Sequence, residues 1–265
     1  MIHSNDFGTA SALAAVPAFF AEPRLLSTAR HGALGVRRST NLRYAAGLTH
    51  APLGLDEFGQ AMRSYPILFT AGPAPRPIAM LGLPGGSNGF VDALGGWRRD
   101  HYVPGCLHRY PLAAIEDANS GWQLCADFAS GRVVTMSSAV EHGVEPIFEA
   151  DGAPSRYTRA VIARAQIAAR RDEEAVTLAR ALLEAGILTP CEAPLPVAEA
   201  TALRQSFLMI SEDAFRALST TLLAEFARLG WLEPIVMAAV SRHNWPALSQ
   251  LCTRDRAGAS ARVAA

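Results

Sequence analysis

Four side chains that can bind a metal ion lie close together in the sequence: Asp100, His101, Cys106 and His108. Carboxylate, imidazole and thiolate groups are all ligands that zinc accepts in proteins. Their spacing matches no zinc motif, however, and Pro104-Gly105 predicts an irregular turn between them. We therefore expect no metal site and no cofactor. The alternative hypothesis for this region is that the protein is an enzyme, or the partner subunit of an enzyme, with a site assembled around His101 and His108.

A glycine-rich stretch, Gly82-x-x-Gly85-Gly86-x-x-Gly89, has the spacing of a loop whose backbone amides could bind a phosphate group. It lacks the Lys-Ser/Thr pair of nucleotide-binding loops, and the residues that follow it predict a strand rather than a helix. No cysteine lies in a recognisable catalytic context. We therefore predict a turn at this stretch and assign no catalytic residue.

The most distinctive charge pattern is a run of five arginines with no acid between them: Arg156, Arg159, Arg164, Arg170 and Arg171. If residues 156–171 form one helix, the five side chains project within an arc of about 140°. Such a face could contact an acidic partner or a phosphate-bearing ligand, because guanidinium groups pair with both. The alternative, which charge runs generally favour, is a solvated face that pairs with Asp172, Glu173 and Glu174.

The elements that position these residues differ between the two halves of the chain. In the first half, Pro66 ends a short helix that begins at Asp56, because proline pushes the preceding residue out of the helical conformation. Short apolar runs at 67–69 and 78–83 are separated by glycines and prolines, a pattern typical of antiparallel strands. Residues 132–136 predict a further strand. This half should therefore be irregular and rich in β-structure.

The second half has helical periodicity instead. One helix is predicted from Asp172, as its N-cap, to Gly186, because apolar residues recur on one side of it. A second helix is predicted from its cap Ser211 to Gly230. The apolar stripe of this second helix comprises Phe215, Leu218, Leu222, Phe226 and Leu229. We expect both helices to bury one face against a core.

The fold class that follows is α+β: an irregular antiparallel β-rich N-terminal region followed by a helical C-terminal region. Residues 1–43 are interpreted as an irregular N-terminal extension and 44–145 as the β-rich region. Residues 146–252 form the helical region, and 253–265 are a loose C-terminal tail. We expect 44–252 to form one integrated domain.

Composition restricts the class of partner and the compartment. The chain has 24 basic and 24 acidic residues, so no global field attracts nucleic acid, and we expect no nucleic-acid partner. Its four cysteines are widely scattered, which favours free thiols in a reducing compartment. No apolar run approaches the roughly 20 residues of a membrane span, and the first residues fit an export signal poorly. The sequence predicts a cytoplasmic protein without a transmembrane segment.

An ordered set of short motifs resembles one known family. The motifs are Tyr65-Pro66-Ile67-Leu68-Phe69-Thr70, Ile78 to Leu83, Asn88 to Asp92, Gly96-Trp97, Tyr102-Val103-Pro104, Arg109-Tyr110-Pro111, Phe207 to Glu212 and Asn244-Trp245. In this order they resemble the SapC family of bacterial proteins. The resemblance implies an accessory, non-enzymatic role in the bacterial envelope, surface-layer-associated by name. A cell-surface location and a structural surface-layer role are therefore alternatives to the cytoplasmic prediction.

Four residues of the β-rich region are the candidate contact residues: Trp97, Tyr102, Arg109 and Tyr110. Aromatic and arginine side chains combine large contact area with directed hydrogen bonds, which is why they are enriched at protein interfaces. The leading hypothesis is an accessory or binding protein that contacts a protein or peptide partner through an aromatic-rich surface. The alternative is that these side chains pack in the core, which large aromatics also dominate.

Overall fold

The computed structural model describes residues 16–17, 19–117, 121–136 and 143–253. The chain divides into two compact units. The first unit comprises Met1–Tyr44 and His108–Ala169, and the second unit comprises Ala45–Leu107 and Arg170–Ala265. Antiparallel sheets in the N-terminal half and helices in the C-terminal half confirm the predicted α+β class. That residues 44–252 form one integrated domain stays a prediction.

The regular elements are short, apart from one long helix. The strands are β1 (Pro23–Leu25), β2 (Leu34–Arg37), β3 (His50–Pro52), β4 (Ile67–Thr70), β5 (Pro77–Met80), β6 (Leu112–Asp117), β7 (Gly121–Asp127), β8 (Val133–Thr135), β9 (Val144–Pro146), β10 (Leu188–Pro190) and β11 (Phe207–Ile210). The α-helices are α1 (Thr28–His31), α2 (Phe58–Ala61), α3 (Arg156–Glu184), α4 (Val197–Ser206), α5 (Glu212–Arg216), α6 (Thr220–Arg228), α7 (Leu232–Val240) and α8 (residues 245–253). Among the described residues, every helix is too short or too polar to cross a lipid bilayer.

A five-stranded antiparallel sheet forms the centre of the second unit. Its strand order is β10-β11-β4-β5-β3. Strands β4 and β5 pair antiparallel, as predicted, with Leu68 opposite Ile78. Gly72 adopts φ 117° in the connection, a conformation that residues with a side chain rarely reach. Because both central strands are almost entirely apolar, the sheet is covered and its neighbours must pack against it.

The core of the second unit is one large hydrophobic cluster. Its largest fully buried side chains are Phe58, Tyr65, Phe69, Phe90, Phe226 and Trp245. The last turns of α3 contribute Leu178 and Leu182 to the same cluster. Burying a side chain of this size stabilises a fold by about 1.5–3 kcal/mol before the entropy of ordering it is subtracted. Burial of this cluster is therefore the main stabilising contribution to the fold of the second unit.

The first unit contains two three-stranded antiparallel sheets in place of one large sheet. One has the order β1-β7-β6 and the other β8-β2-β9. The unit has two small hydrophobic clusters, and both include residues of β6 and β7. One lies around Val36 and Ile147 and also includes β2, and the other lies around Phe20 and Tyr110. The strand predicted at 132–136 is confirmed as β8. Apolar burial is therefore spread over two sites in this unit.

The helix predicted to start at Asp172 begins much earlier, so that prediction is wrong. Helix α3 runs without a break from Arg156 to Glu184, and Asp172 lies inside it. The N-terminal cap is Ser155, whose Oγ accepts the N–H of Thr158 at 3.1 Å. No glycine or proline interrupts residues 156–184, and a single aspartate is too weak a signal to end a helix.

The helix predicted from Ser211 to Gly230 is two helices, α5 and α6. Ser211 is a cap as predicted, because its Oγ accepts the N–H of Ala214 at 3.2 Å. The break comes at Ser219, whose Oγ accepts the N–H of Leu222 at 3.3 Å and starts α6 anew. Leu229 follows the last residue of α6 and is 38% exposed, so it does not belong to the buried stripe.

Candidate functional site

Five residues of the second unit form what we call the aromatic cluster: Tyr65, Phe90, Trp97, His101 and Tyr102. Phe90 is its centre. The ring of Tyr65 meets Phe90 edge-on at 4.7 Å between centroids, and Trp97 stacks on it at 6.0 Å. His101 lies 5.0 Å from the same ring. Tyr65 and Phe90 are buried, whereas the other three side chains are partly exposed.

Hydrogen bonds lock the rings of the aromatic cluster in place. The indole Nε1 of Trp97 donates to the Tyr65 hydroxyl at 3.2 Å, and that hydroxyl donates to the carbonyl oxygen of Tyr102. The Tyr102 hydroxyl in turn donates to Oε1 of Glu57 at 2.7 Å. Burial raises the pKa of Tyr65, and burial together with the Glu57 carboxylate raises the pKa of Tyr102. Both hydroxyls are therefore protonated donors at neutral pH.

Glu57 fixes the loop that carries Tyr102. Its Oε1 accepts the N–H of Gly105 at 2.7 Å, in addition to the Tyr102 hydroxyl, and its Oε2 accepts the N–H of Gly54 at 2.9 Å. Glu57 is the last residue of the short 3-10 helix Leu55–Glu57, which lies where the sequence predicts a short helix from Asp56. One carboxylate thus joins two loops that are 48 residues apart.

The turn before Trp97 is organised by Asp92. Its Oδ1 accepts the N–H of Leu94 at 2.8 Å and the N–H of Gly96 at 2.9 Å. These backbone donors, Gly96 first, lower the pKa of the Asp92 carboxyl. A Cβ on Gly96 would lie 2.8 Å from Asp92 Oδ2, so a larger residue there would force the Asp92 carboxylate to shift. The Asp-x-x-x-Gly spacing is a local signal that could have predicted this turn.

The structure separates the four candidate contact residues into two pairs. Trp97 and Tyr102 lie together in the aromatic cluster of the second unit. Arg109 and Tyr110 belong to the first unit. Tyr110 is only 6% exposed and stacks on Tyr44 at 3.8 Å, and its hydroxyl donates to Oδ2 of Asp127 at 3.0 Å. This burial supports a packing role for Tyr110, the alternative considered from the sequence.

All five arginines of the run lie on α3, and all five are exposed. Arg156, Arg159 and Arg164 fall in the first unit, and the remaining two fall in the second. Arg159 Nη1 donates to the carbonyl oxygen of Pro154 at 2.8 Å, and Arg171 pairs with Glu174 at 2.9 Å. Residues 156–171 do lie on one helix, which was the condition for a shared arginine face. The role of that face in a contact stays a prediction.

Metal-capable side chains are not gathered in the described ranges, where no group of three or more His, Cys, Asp or Glu residues could hold an ion. His101 lies in the second unit with its Nδ1 at 2.9 Å from the Arg99 carbonyl oxygen, and His108 lies in the first. Burial raises the pKa of the Cys125 thiol to about 11 and that of the Cys191 thiol to about 12. Neither thiol is a ready nucleophile at neutral pH.

The glycine-rich stretch forms a turn whose amides bond within the protein. The N–H of Gly86 donates to the carbonyl oxygen of Leu83 at 2.9 Å, and the N–H of Gly89 donates to the carbonyl oxygen of Leu81 at 2.8 Å. Residues 85–89 also match the Gly-x-Ser-x-Gly pattern of a nucleophile elbow. Such an elbow joins a strand to a helix, whereas Ser87 lies in an irregular loop and the next helical residues begin at Gly105. Neither a phosphate loop nor an elbow is formed.

Comparison with known proteins gives one match. The model of the SapC family matches residues 26–248, which is most of the chain. No curated protein and no solved structure matches it. The family match confirms the resemblance drawn from the ordered motifs, and it includes every residue of the aromatic cluster.

Proposed function

Because the chain belongs to the SapC family, we propose that it is a bacterial accessory or binding protein that contacts a protein or peptide partner through the aromatic cluster. The observation that carries this proposal is the state of Trp97 and Tyr102. Both side chains are partly exposed. Trp97 is fixed by its hydrogen bond to the Tyr65 hydroxyl, and Tyr102 is fixed by hydrogen bonds with Tyr65 and Glu57. The cluster thus combines accessible aromatic area with a rigid base.

Rigidity matters because ordering side chains on binding costs free energy, about 0.5–1.5 kcal/mol for each flexible side chain. Aromatic rings that are already held in one rotamer avoid most of this cost, and they still bury large apolar area against a partner. Trp97 and Tyr102 also keep partners for their polar atoms, so covering them leaves no donor unsatisfied. These properties support a recognition role.

The exposed arginines of the first unit support a second, charged contact. Arg156, Arg159 and Arg164 lie on successive turns of α3 with no acid among them, which favours an acidic partner surface. Such a contact would be weakened by salt, whereas an aromatic contact would not. Salt dependence therefore distinguishes the two contacts experimentally.

The test compares two half-buried tryptophans. Trp97→Ala removes one ring of the aromatic cluster, and Trp122→Ala removes a half-buried tryptophan from β7 in the first unit. Proteins captured from the source cells with the parent chain would be quantified by mass spectrometry, and the recovered partner would then be titrated against each variant. We expect Trp97→Ala to lose the partner and Trp122→Ala to retain it. Equal binding by both folded variants would refute the proposal.

The compartment is tested separately. The cytoplasmic prediction requires recovery of the chain from the cytosol, and the alternative implied by the family requires recovery from the outside of intact cells. Fractionation followed by immunodetection distinguishes them. Concentration-dependent lattice formation by the purified protein would favour the structural surface-layer role over that of a binding protein.

A further inference from the structure

A pocket of about 250 Å³ lies in the second unit, apart from the residues of the aromatic cluster. Strand β11, the segment after β10 and the turn before α8 contribute to its wall. Its lining includes Glu192, Pro194, Met209, Arg242, His243 and Trp245. The wall thus combines an apolar part with three side chains that can donate hydrogen bonds.

The turn that supplies two of these donors is anchored on both sides. Ser241 Oγ accepts the N–H of Ile67 at 2.8 Å, and Asn244 Nδ2 donates to the carbonyl oxygen of Tyr65 at 3.0 Å. Both anchors bond to the segment that leads into β4, 174 and 179 residues away. The two side chains between the anchors are left exposed at the pocket. The backbone of the turn is therefore fixed by these hydrogen bonds, and the side chains of Arg242 and His243 lie at the pocket.

Trp245 provides the observation that points to a ligand. Its side chain is 1% exposed and lines the pocket, and its Nε1 has no hydrogen-bond partner among the residues that the structure describes. A buried donor without a partner is unfavourable, so an acceptor oxygen supplied from the pocket would be stabilised there. Met209 belongs to the same wall, and its Sδ accepts the N–H of Glu192 at 3.2 Å. Its unbranched side chain rotates away from that contact to admit such an atom.

The charges around the pocket favour an anion. Arg242 Nη1 pairs with Glu212, yet a guanidinium carries five N–H donors and this side chain is 41% exposed. His243 is exposed next to it. The acid of the wall, Glu192, is 74% exposed and lies 3.7 Å from Arg204, which offsets its repulsion. Donor groups therefore dominate the polar part of the wall.

We propose that this pocket binds a small organic carboxylate with an apolar body. The carboxylate accepts hydrogen bonds from Arg242, His243 and the indole N–H of Trp245. The apolar body packs against Met209 and Pro194. The chemistry of the wall specifies one negative charge and acceptor oxygens at one end of the ligand, and branched or linear hydrocarbon at the other.

The test follows the indole N–H resonances of the full chain, which contains four tryptophans. Protein labelled with ¹⁵N-tryptophan is titrated with 4-methylpentanoate, and 4-methylpentanamide serves as the uncharged control of the same shape. Trp245→Phe assigns the resonance, with through-space assignment in its place if that variant fails to fold. We expect the carboxylate to shift the Trp245 resonance to saturation and the amide to bind about tenfold or more weakly.

Exposed variants keep the test independent of folding. Arg242→Gln should weaken binding of the carboxylate by about tenfold or more, while Arg228→Gln, an exposed arginine of α6 outside the pocket, should leave it unchanged. An unmoved Trp245 resonance up to the solubility limit of the carboxylate would overturn the proposal. Equal affinity for carboxylate and amide, or equal losses in both variants, would do the same. None of these outcomes depends on a partner contact at the aromatic cluster.

Discussion

Both units contain a tyrosine hydroxyl that donates to a carboxylate, and the two pairs serve different purposes. In the first unit, Asp127 is 1% exposed and accepts the Tyr110 hydroxyl together with the backbone N–H groups of Ala21, Glu22 and Ala129. In the second unit, Glu57 is half-buried and accepts the Tyr102 hydroxyl beside a partly exposed cluster. Both carboxylates join separate segments, but the buried one does so inside the unit and the half-buried one does so beside a partly exposed cluster.

The two cores explain this difference. The second unit has one large apolar cluster, so its fold does not depend on a single polar contact. The first unit has two small clusters and places a fully buried carboxylate beside one of them. A buried charge is tolerated only when its oxygens are fully hydrogen-bonded. Polar contacts should therefore contribute more to the stability of the first unit and more to the geometry of a surface in the second.

The largest effect should come from Asp127→Ala. Removing the carboxylate leaves Tyr110 and the three backbone N–H groups without an acceptor, and hydrogen bonds to a charged group contribute about 1.5–3 kcal/mol each. We expect the free energy of unfolding to fall by more than about 4 kcal/mol in urea titrations, with hydrogen-exchange protection lost in β6 and β7. Asp127→Asn, which keeps one acceptor oxygen, should lose less. A loss below about 1 kcal/mol would contradict the contrast between the units.

The next effect distinguishes two residues of the predicted apolar stripe. Phe226 is 2% exposed, and Leu229 is 38% exposed. Phe226→Ala should lower the free energy of unfolding by about 3–5 kcal/mol, because it opens a cavity in the large cluster. Leu229→Ala should cost less than about 1 kcal/mol in the same thermal and urea measurements. Equal losses of stability in the two variants would mean that Leu229 is as buried as Phe226, as the single helix predicted from the sequence requires.

A smaller effect compares the two hydroxyls directly. Tyr102→Phe and Tyr110→Phe each remove one hydrogen bond to a carboxylate, so each should cost about 1.5–3 kcal/mol. Only Tyr102→Phe should also shift the indole N–H resonance of Trp97, because the Tyr102 carbonyl holds the Tyr65 hydroxyl to which Trp97 donates. An unchanged Trp97 resonance would mean that Glu57 does not position the aromatic cluster.

The last prediction concerns the stability of the fold at alkaline pH, and it has no effect at neutral pH. Burial, together with the hydrogen bond to Asp127, raises the pKa of Tyr110 to about 12 from the usual 10.0. The folded state thus favours the protonated phenol, and this contribution is fully present below pH 10 and disappears as the pH rises towards 12. Denaturant midpoints measured across that window should fall, and less so in Tyr110→Phe. A phenolate that forms at pH 10 in the folded protein would show that Tyr110 is accessible.

Local signals predicted elements well where neighbours in sequence decide the outcome. The hairpin of β4 and β5 follows from apolar runs separated by Gly72 and Pro75, and the cap at Ser211 from its own side chain. The same reasoning placed a helix start at Asp172, where no break exists, and missed the break at Ser219. Serine caps at 155 and 219 were as visible as the one at 211. Without the tertiary context, nothing in the sequence ranked these caps against one another.

The sequence by itself determined the α+β class, the family and the pairing of local strands, because periodicity and turn residues act over a few positions. Only the tertiary structure decided that Trp97 and Tyr102 share a cluster while Tyr110 is buried in another unit. It also decided that Trp245 lines a pocket while its indole N–H has no partner among the described residues. The bonds responsible join residues 32, 45 and 179 positions apart. Contacts of that range depend on how the whole chain returns on itself, which no local pattern encodes.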